Sequence, residues 1–139
     1  KGDSNVVTAI IDWGVEANHL DLPISRQLRL PGGNVAAIYD TTLSPNDVST
    51  DPSFPHGTNC AGIVAATQDN AIGISGIAPK TKIMPVRIGS GLGVSEVADA
   101  IAFADTNNAN ILSASFMLGH LKFSVIEDAI KLALKNNKS

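Results

Sequence analysis

The chain has 139 residues, a 44% apolar and only 4% aromatic composition, and a single cysteine, Cys60, which excludes an intrachain disulfide. A chain of this length can bury roughly two-thirds of its unfolded surface in one core, here of Ala, Val, Ile and Leu. A formal charge of −3 from scattered acids and bases leaves no basic patch for nucleic acid, and no apolar run reaches the ~18 residues that span a membrane.

The opening Lys1-Gly2-Asp3-Ser4-Asn5 carries no signal-peptide apolar region, and both ends read as cuts in a longer sequence. Four short apolar runs are expected as strands: Val6 to Ile11, Val35 to Tyr39, Lys82 to Ile88 and Ile111 to Ser115. None alternates, as expected of strands covered on both faces in a parallel sheet. Pro85 counts against the third, because proline cannot donate to a ladder. Thr41 to Pro55, rich in Ser, Thr, Asp, Asn and Pro, reads as a surface loop. A helix is expected from His56 to Ala66, where Gly57, Ala61, Gly62, Ala65 and Ala66 permit close packing.

From Ser95 onward, Val97, Ala100, Ile101 and Ala104 recur at helical spacing, with Ser95 as cap and Glu96 and Asp99 near the positive end. A last helix follows Ser124 and Glu127, spaced as a capping box, with Ile126, Ala129, Ile130, Ala133 and Leu134 in one stripe. Lys131, Lys135 and Lys138 sit toward its negative end. Strand, strand, helix, strand, helix, strand, helix predicts a mostly parallel α/β sheet in one domain over residues 1–139.

Asp12 ends the first run, and functional groups in open α/β sheets gather outside the carboxyl ends of strands. Asp12-Trp13-Gly14 equally reads as a turn, and His56 after Pro55 as a helix cap or surface group. Their contexts are more specific. Val7-Thr8-Ala9-Ile10-Ile11-Asp12-Trp13-Gly14-Val15, followed by His19-Leu20-Asp21-Leu22, resembles the aspartate segment of the subtilase family of serine proteases. His56-Gly57-Thr58-Asn59-Cys60-Ala61-Gly62-Ile63-Val64-Ala65-Ala66 resembles that family's histidine helix. Gly73-Ile74-Ser75-Gly76-Ile77-Ala78-Pro79 and Lys82-Ile83-Met84-Pro85-Val86-Arg87 are similar to the stretch that follows it.

The resemblance implies a three-layer αβα, subtilisin-like fold, incomplete here, with the runs above in the order second, third, first, fourth. It implies an endopeptidase with His56 as general base and Asp12 fixing its tautomer. It also implies an extended polypeptide substrate paired with Ser115, Phe116 and Met117 on one side and with Gly91 and Gly93 on the other. Asp21 and the loop carrying Gln68, Asn70, Ile72 and Ile74 are similar to the family's structural calcium site, where hard oxygens gather; a plain Asp–Asn turn fits the same residues. An inhibitory prosegment as partner and an extracellular location follow from the same likeness, and none of it involves membrane or nucleic acid.

The family's Gly-Thr-Ser-Met-Ala type nucleophile motif and its oxyanion asparagine have no counterpart in the 139 residues. Ser75 belongs to the connection after the histidine helix and cannot also face His56. The chain alone is therefore expected to be inactive, and the unpaired edge of the fourth run favours aggregation or partner-dependent folding. Trp13, Asn59 and Met117 depart from the family pattern and admit a second reading, a non-catalytic binding module on the same scaffold. Cys60, one helical turn from His56, is expected as a small buried thiol rather than a nucleophile. His19 and His120 lack metal-ligand spacing and are expected at the surface. Gly89-Ser90-Gly91-Leu92-Gly93 raises a dinucleotide site, but Val94 stands where the third glycine is needed.

Overall fold

The computed structural model describes residues 1–51, 53–119 and 122–136. Three parallel strands, β1 (Val7–Asp12), β2 (Lys82–Arg87) and β3 (Ile111–Ala114), form a sheet in the order β2-β1-β3. The register pairs Ile10 with Pro85 on one side and with Ser113 on the other. Helices α1 (His56–Ala65), α2 (Val94–Thr106) and α3 (Ser124–Lys135) lie between and after the strands.

Alternation of side chains along the strands divides the core in two. Ile10 and Ile83 face α1 and pack with Ala61, Ala65, Val15 and Leu22. Ala9, Ile11, Met84 and Val86 face the other way and pack with Val97, Ala100, Ile101 and Ala104 of α2, and with Ile126 and Ala133 of α3. The result is α1, sheet, and α2 with α3: the expected three layers. The small alanines let helix backbones sit close to the sheet, so a core with few aromatics still fills its volume.

Three expectations need correction. Val35 to Tyr39 is not a strand; Val35–Ile38 is a turn of 3₁₀ helix closed by local bonds from Ala37 N to Asn34 O and from Tyr39 N to Ala36 O. The Ala36-Ala37 pair adds little strand preference. The place beside β2 is taken instead by residues 27–34, which make only two isolated parallel bridges, Gln27 to Ile83 and Asn34 to Arg87. Second, α3 begins without a side-chain cap; the Phe123 carbonyl accepts from Ile126 N and Glu127 N. Third, Ser95 does not cap α2, whose N-cap is Gly93, and Glu96 turns its carboxylate back to Gly89 N at 3.1 Å.

Pro85 fits the sheet by phase. Leu28 N donates to Ile83 O and Arg87 N donates to Gly33 O, both on the outer edge of β2. Pro85 shares their parity, so its missing N–H falls on that same edge, away from β1. Beyond the sheet, Arg26 anchors the far end of α1: its Nη1 donates to Ala65 O at 2.8 Å and Pro79 O at 2.7 Å, and its Nη2 to Thr67 Oγ1 at 2.8 Å. A guanidinium at the carbonyl end of a helix satisfies orphan acceptors and suits the dipole.

β3 is thinly covered. Ile111 is 40% exposed, and its face continues into exposed Ile63 and Ile77. Leu112 and Ala114 line a second apolar groove with Ile101, Ile130 and Leu134. Ile10→Ala is expected to cost about 2–5 kcal/mol in urea denaturation, whereas Ile38→Ala, on the exposed 3₁₀ turn, should stay within about 0.5 kcal/mol.

Candidate active site

Asp12 is the last residue of β1 and is 1% exposed. A buried carboxylate needs partners, and it has them. Trp13 N donates to Oδ1 at 2.8 Å, and His56 Nδ1 lies 2.9 Å from Oδ1 and 3.0 Å from Oδ2. His56 opens α1, and its side chain remains 42% exposed while that of Asp12 is 2% exposed. One ring nitrogen is thus held inside by the acid while the ring keeps solvent access.

This approach is possible because of small residues. A Cβ on Gly57 would collide with the Gly14 carbonyl oxygen and lie 2.9 Å from Asp12 Cβ. Gly14 has φ +102°, and a Cβ there would lie 2.6 Å from Ser49 O. The loop after Asp12 is then fixed by Thr58 Oγ1 accepting from Glu16 N at 3.0 Å and by Val15 N donating to Val48 O at 3.0 Å. Gln27 and Arg29 bind carbonyls of the same loop, at Leu22 and Val15 respectively.

Trp13 packs beside the histidine. Its ring centroid is 5.1 Å from that of His56, and Phe54 meets it edge-on at 6.2 Å. Beyond these rings opens a cavity of about 480 Å³, lined also by Ile88, Gly91, Asp40, Asp51, Glu96 and Arg87. Phe54, Asp40 and Asp51 were not singled out in the sequence; the signal was Phe54 standing two residues before His56 in a loop otherwise polar.

Cys60 Sγ is 3.9 Å from His56 Nδ1. Burial pushes its thiol up, the Ser115 hydroxyl pulls it partly back, and Asp12 pushes it up again. Cys60 is partly buried rather than the fully buried thiol expected, and Ser115, which follows β3, is brought beside it. Phe116 turns back onto the α2–α3 core, and Met117 is 77% exposed. Gly91 lines the cavity and Gly93 caps α2; Leu92 between them has φ 47°. With Glu96 seated at Gly89 N, that turn already holds an anion of its own, against a phosphate cradle. Asn59 points to solvent, and His19 is half-buried rather than at the surface, accepting from Asp21 N at 3.2 Å. His120 lies outside the described residues.

The second gathering is at Asp21. Its Oδ1 accepts from Asn70 Nδ2 at 2.8 Å and its Oδ2 from Ile74 N at 3.0 Å. Asp69, Ala71 and Gly73 all have φ near 60° (59°, 59° and 58°), so the loop winds left-handed at every second residue around a hollow of about 250 Å³. Ser75 belongs to this loop and not to the cleft. Burial pushes the Asp21 carboxyl up, but hydrogen bonds from Asn70, Ile74 and Thr67, with His19 nearby, hold it below 3.8.

Comparison with known proteins matches the subtilase family model to residues 3–131. The chain belongs to the subtilase family. A thermophilic serine proteinase of Bacillus sp. (strain AK1) is 40% identical over 119 residues, covering 83% of this chain and 27% of the relative. A calcium-dependent protease of Nostoc sp. is 34% identical over 113 residues, covering 81% of this chain and 16% of the relative. A solved protease from Pseudoalteromonas arctica superposes with a TM-score of 0.78 at 28% identity, covering 97% of this chain and 48% of that one. This subtilase chain therefore spans less than half the length of each. Among its described residues no helix is long and apolar enough to cross a membrane.

Gly57→Ala is expected to destabilise the fold by about 1–3 kcal/mol in urea denaturation, because the helix must retreat from Asp12. For Asp21 the folded carboxyl titrates lower than the unfolded one, so its stabilisation is full above 3.8 and is lost as pH falls through the folded value. Asp21→Asn should therefore lower stability by about 1–3 kcal/mol at neutral pH. In acid denaturation curves the gap to the parent should narrow below 3.8.

Proposed function

We propose that this chain supplies the aspartate and histidine of a serine endopeptidase whose nucleophilic serine and oxyanion donor lie in sequence outside these 139 residues. The observation carrying the reading is the contact of His56 Nδ1 with both oxygens of a buried Asp12. A carboxylate accepts, so Nδ1 carries the ring proton and Nε2 is left as the base. Nε2 takes the serine proton during attack and returns it to the leaving amine; Asp12 stabilises the imidazolium between the two steps. Gly57 and Gly14 set the distance, and the Trp13 ring lies against that of His56.

The substrate on this reading is an extended polypeptide. Its backbone adds as a strand between residues 115–117, which continue β3, and residues 91–93, which precede α2. The exposure of Met117 supports this segment as a docking rail, since its side chain does not fill the cleft. A prosegment in the same groove and action outside the cell are part of the same reading.

For calcium, the donor chemistry fits: Asp21 carboxylate, Asn70 amide oxygen and carbonyls of Gln68, Ile72 and Ile74 are all hard oxygens on a left-handed cradle. Asn70 would turn its amide over, from Nδ2 toward Asp21 to Oδ1 toward the ion. A bound calcium would supply cross-linking of this loop and no chemistry at His56.

In the longer serine-bearing protein, His56→Ala is expected to lower kcat by about 10⁶ and Asp12→Asn by about 10⁴, the scale measured for these triad positions in subtilisin. The 139 residues alone should give no measurable hydrolysis of a casein-type substrate, lacking both nucleophile and oxyanion donor. Unchanged turnover in His56→Ala, or robust cleavage by the purified 139-residue chain, overturns the assignment. A longer protein without the serine would instead support the non-catalytic binding module.

A further inference from the structure

The turn between β2 and α2 has the composition of a loose segment: Gly89, Gly91 and Gly93 alternate with Ser90 and Leu92. Glycine gives up more backbone freedom on ordering than any other residue. Yet this turn borders the cavity that it shares with Trp13, whose ring lies against that of His56. A backbone that pairs with an extended peptide is best ordered beforehand, since otherwise binding bears the cost of ordering it. Something must hold the glycines still.

Glu96 does so. A glutamate at the third position of a helix ordinarily bonds back to the N–H of the N-cap residue. In α2 that residue is Gly93, and the carboxylate passes it by: Oε2 accepts from Gly89 N at 3.1 Å. The backbone is wrapped closely around the side chain. A Cβ on Gly89 would lie 3.0 Å from Oε2, and one on Gly93 would lie 3.2 Å from Cδ. Leu92 N donates to Gly89 O at 3.2 Å, and Leu92 takes a left-handed φ of 47° while its side chain packs against the α2–α3 core.

The carboxylate is also mounted on a rigid element. Val97, Ala98, Ala100 and Ile101 bury the face of α2 behind it, and Tyr39 Oη donates to Asp99 one turn along. Glu96 itself is half-buried in the wall of the cavity. Position therefore passes from the sheet to α2, from α2 to one carboxylate, and from there to the glycine turn.

We infer that Glu96 is a positioning residue for the substrate: through Gly89 N it holds residues 91–93 in the arrangement that an extended peptide pairs with, which rests on the endopeptidase reading. It acts through the turn and not on the reacting atoms. Its loss is felt only by substrates that reach along the turn.

In the longer serine-bearing protein, two substrates separate this role from a structural one: a peptide long enough to lie along residues 91–93, and an ester of a single acylated amino acid that stops short of them. Glu96→Ala is expected to lower kcat/KM for the peptide by about 10- to 100-fold, the worth of one charge-assisted hydrogen bond, mostly through KM. For the ester it should change kcat/KM by less than about twofold. Glu96→Gln keeps an acceptor oxygen at the same reach and should recover most of the loss; Glu96→Asp, one methylene short, should not. Amide hydrogen exchange should show the Gly89 N–H protected in the parent and unprotected in Glu96→Ala, with the amides of β1 and β2 unchanged. Equal losses on both substrates, a parental KM for the peptide, or a Gly89 amide still protected in Glu96→Ala overturns the inference. If Glu96→Ala does not fold, Glu96→Asp makes the same comparison. A folded parent that hydrolyses neither substrate overturns the endopeptidase reading instead, and the same 10- to 100-fold loss is then sought in peptide affinity by calorimetry.

Discussion

The structure turns on one buried carboxylate. Asp12 ends a central strand inside the protein, where an ionised group without partners is costly. Three requirements follow from it. A donor must reach it from the next helix, so His56 heads α1. That helix must come close, so Gly57 follows His56 at once. The chain leaving the strand must turn sharply beneath the helix, so Gly14 takes a left-handed backbone against Ser49. Gln27 and Arg29 then tie the loop that carries the turn. Thus the residues around the pair are constrained by electrostatics first and by packing second.

Much of this was readable in advance because it rests on patterns short in sequence. Unbroken apolar runs such as Val7–Asp12 and Ile111–Ala114 announce parallel strands, though only the first is buried, and the spacing of Val97, Ala100, Ile101 and Ala104 announces α2. Asp12 and His56 were legible through their neighbours and not through their types. What failed was of another kind. Val35 to Tyr39 is apolar enough for a strand, but the edge of β2 was already engaged by residues 27–34, a tertiary fact with no local signature. The capping residues Ser95 and Ser124 were outcompeted by backbone carbonyls and by the return of Glu96 to Gly89. Phe54 gained its place beside Trp13 only when two distant segments met.

The distribution of apolar surface is equally informative. One side of the sheet is finished by α1 and the other by α2 and α3, but both coverings stop short of β3. Ile111 and Ser113 open into a groove with Ile63 and Ile77, while Leu112 and Ala114 open into another with Ile130 and Leu134. Two apolar hollows on opposite faces of one edge strand have the shape of a layered fold interrupted mid-sheet. This agrees with a chain spanning 48% of a solved relative that it superposes on closely.

The placement of Pro85 bears on how such a molecule can grow. The outer margin of β2 lacks one donor at its midpoint and is bridged only at Gln27 and Asn34, so a foreign strand finds no continuous row of bonds there. The opposite margin, along Ile111–Ala114, carries no such interruption. Any extension of this sheet is therefore directional: residues 27–34 and the missing donor of Pro85 close the β2 margin, and the β3 margin is left as the one that can accept another strand.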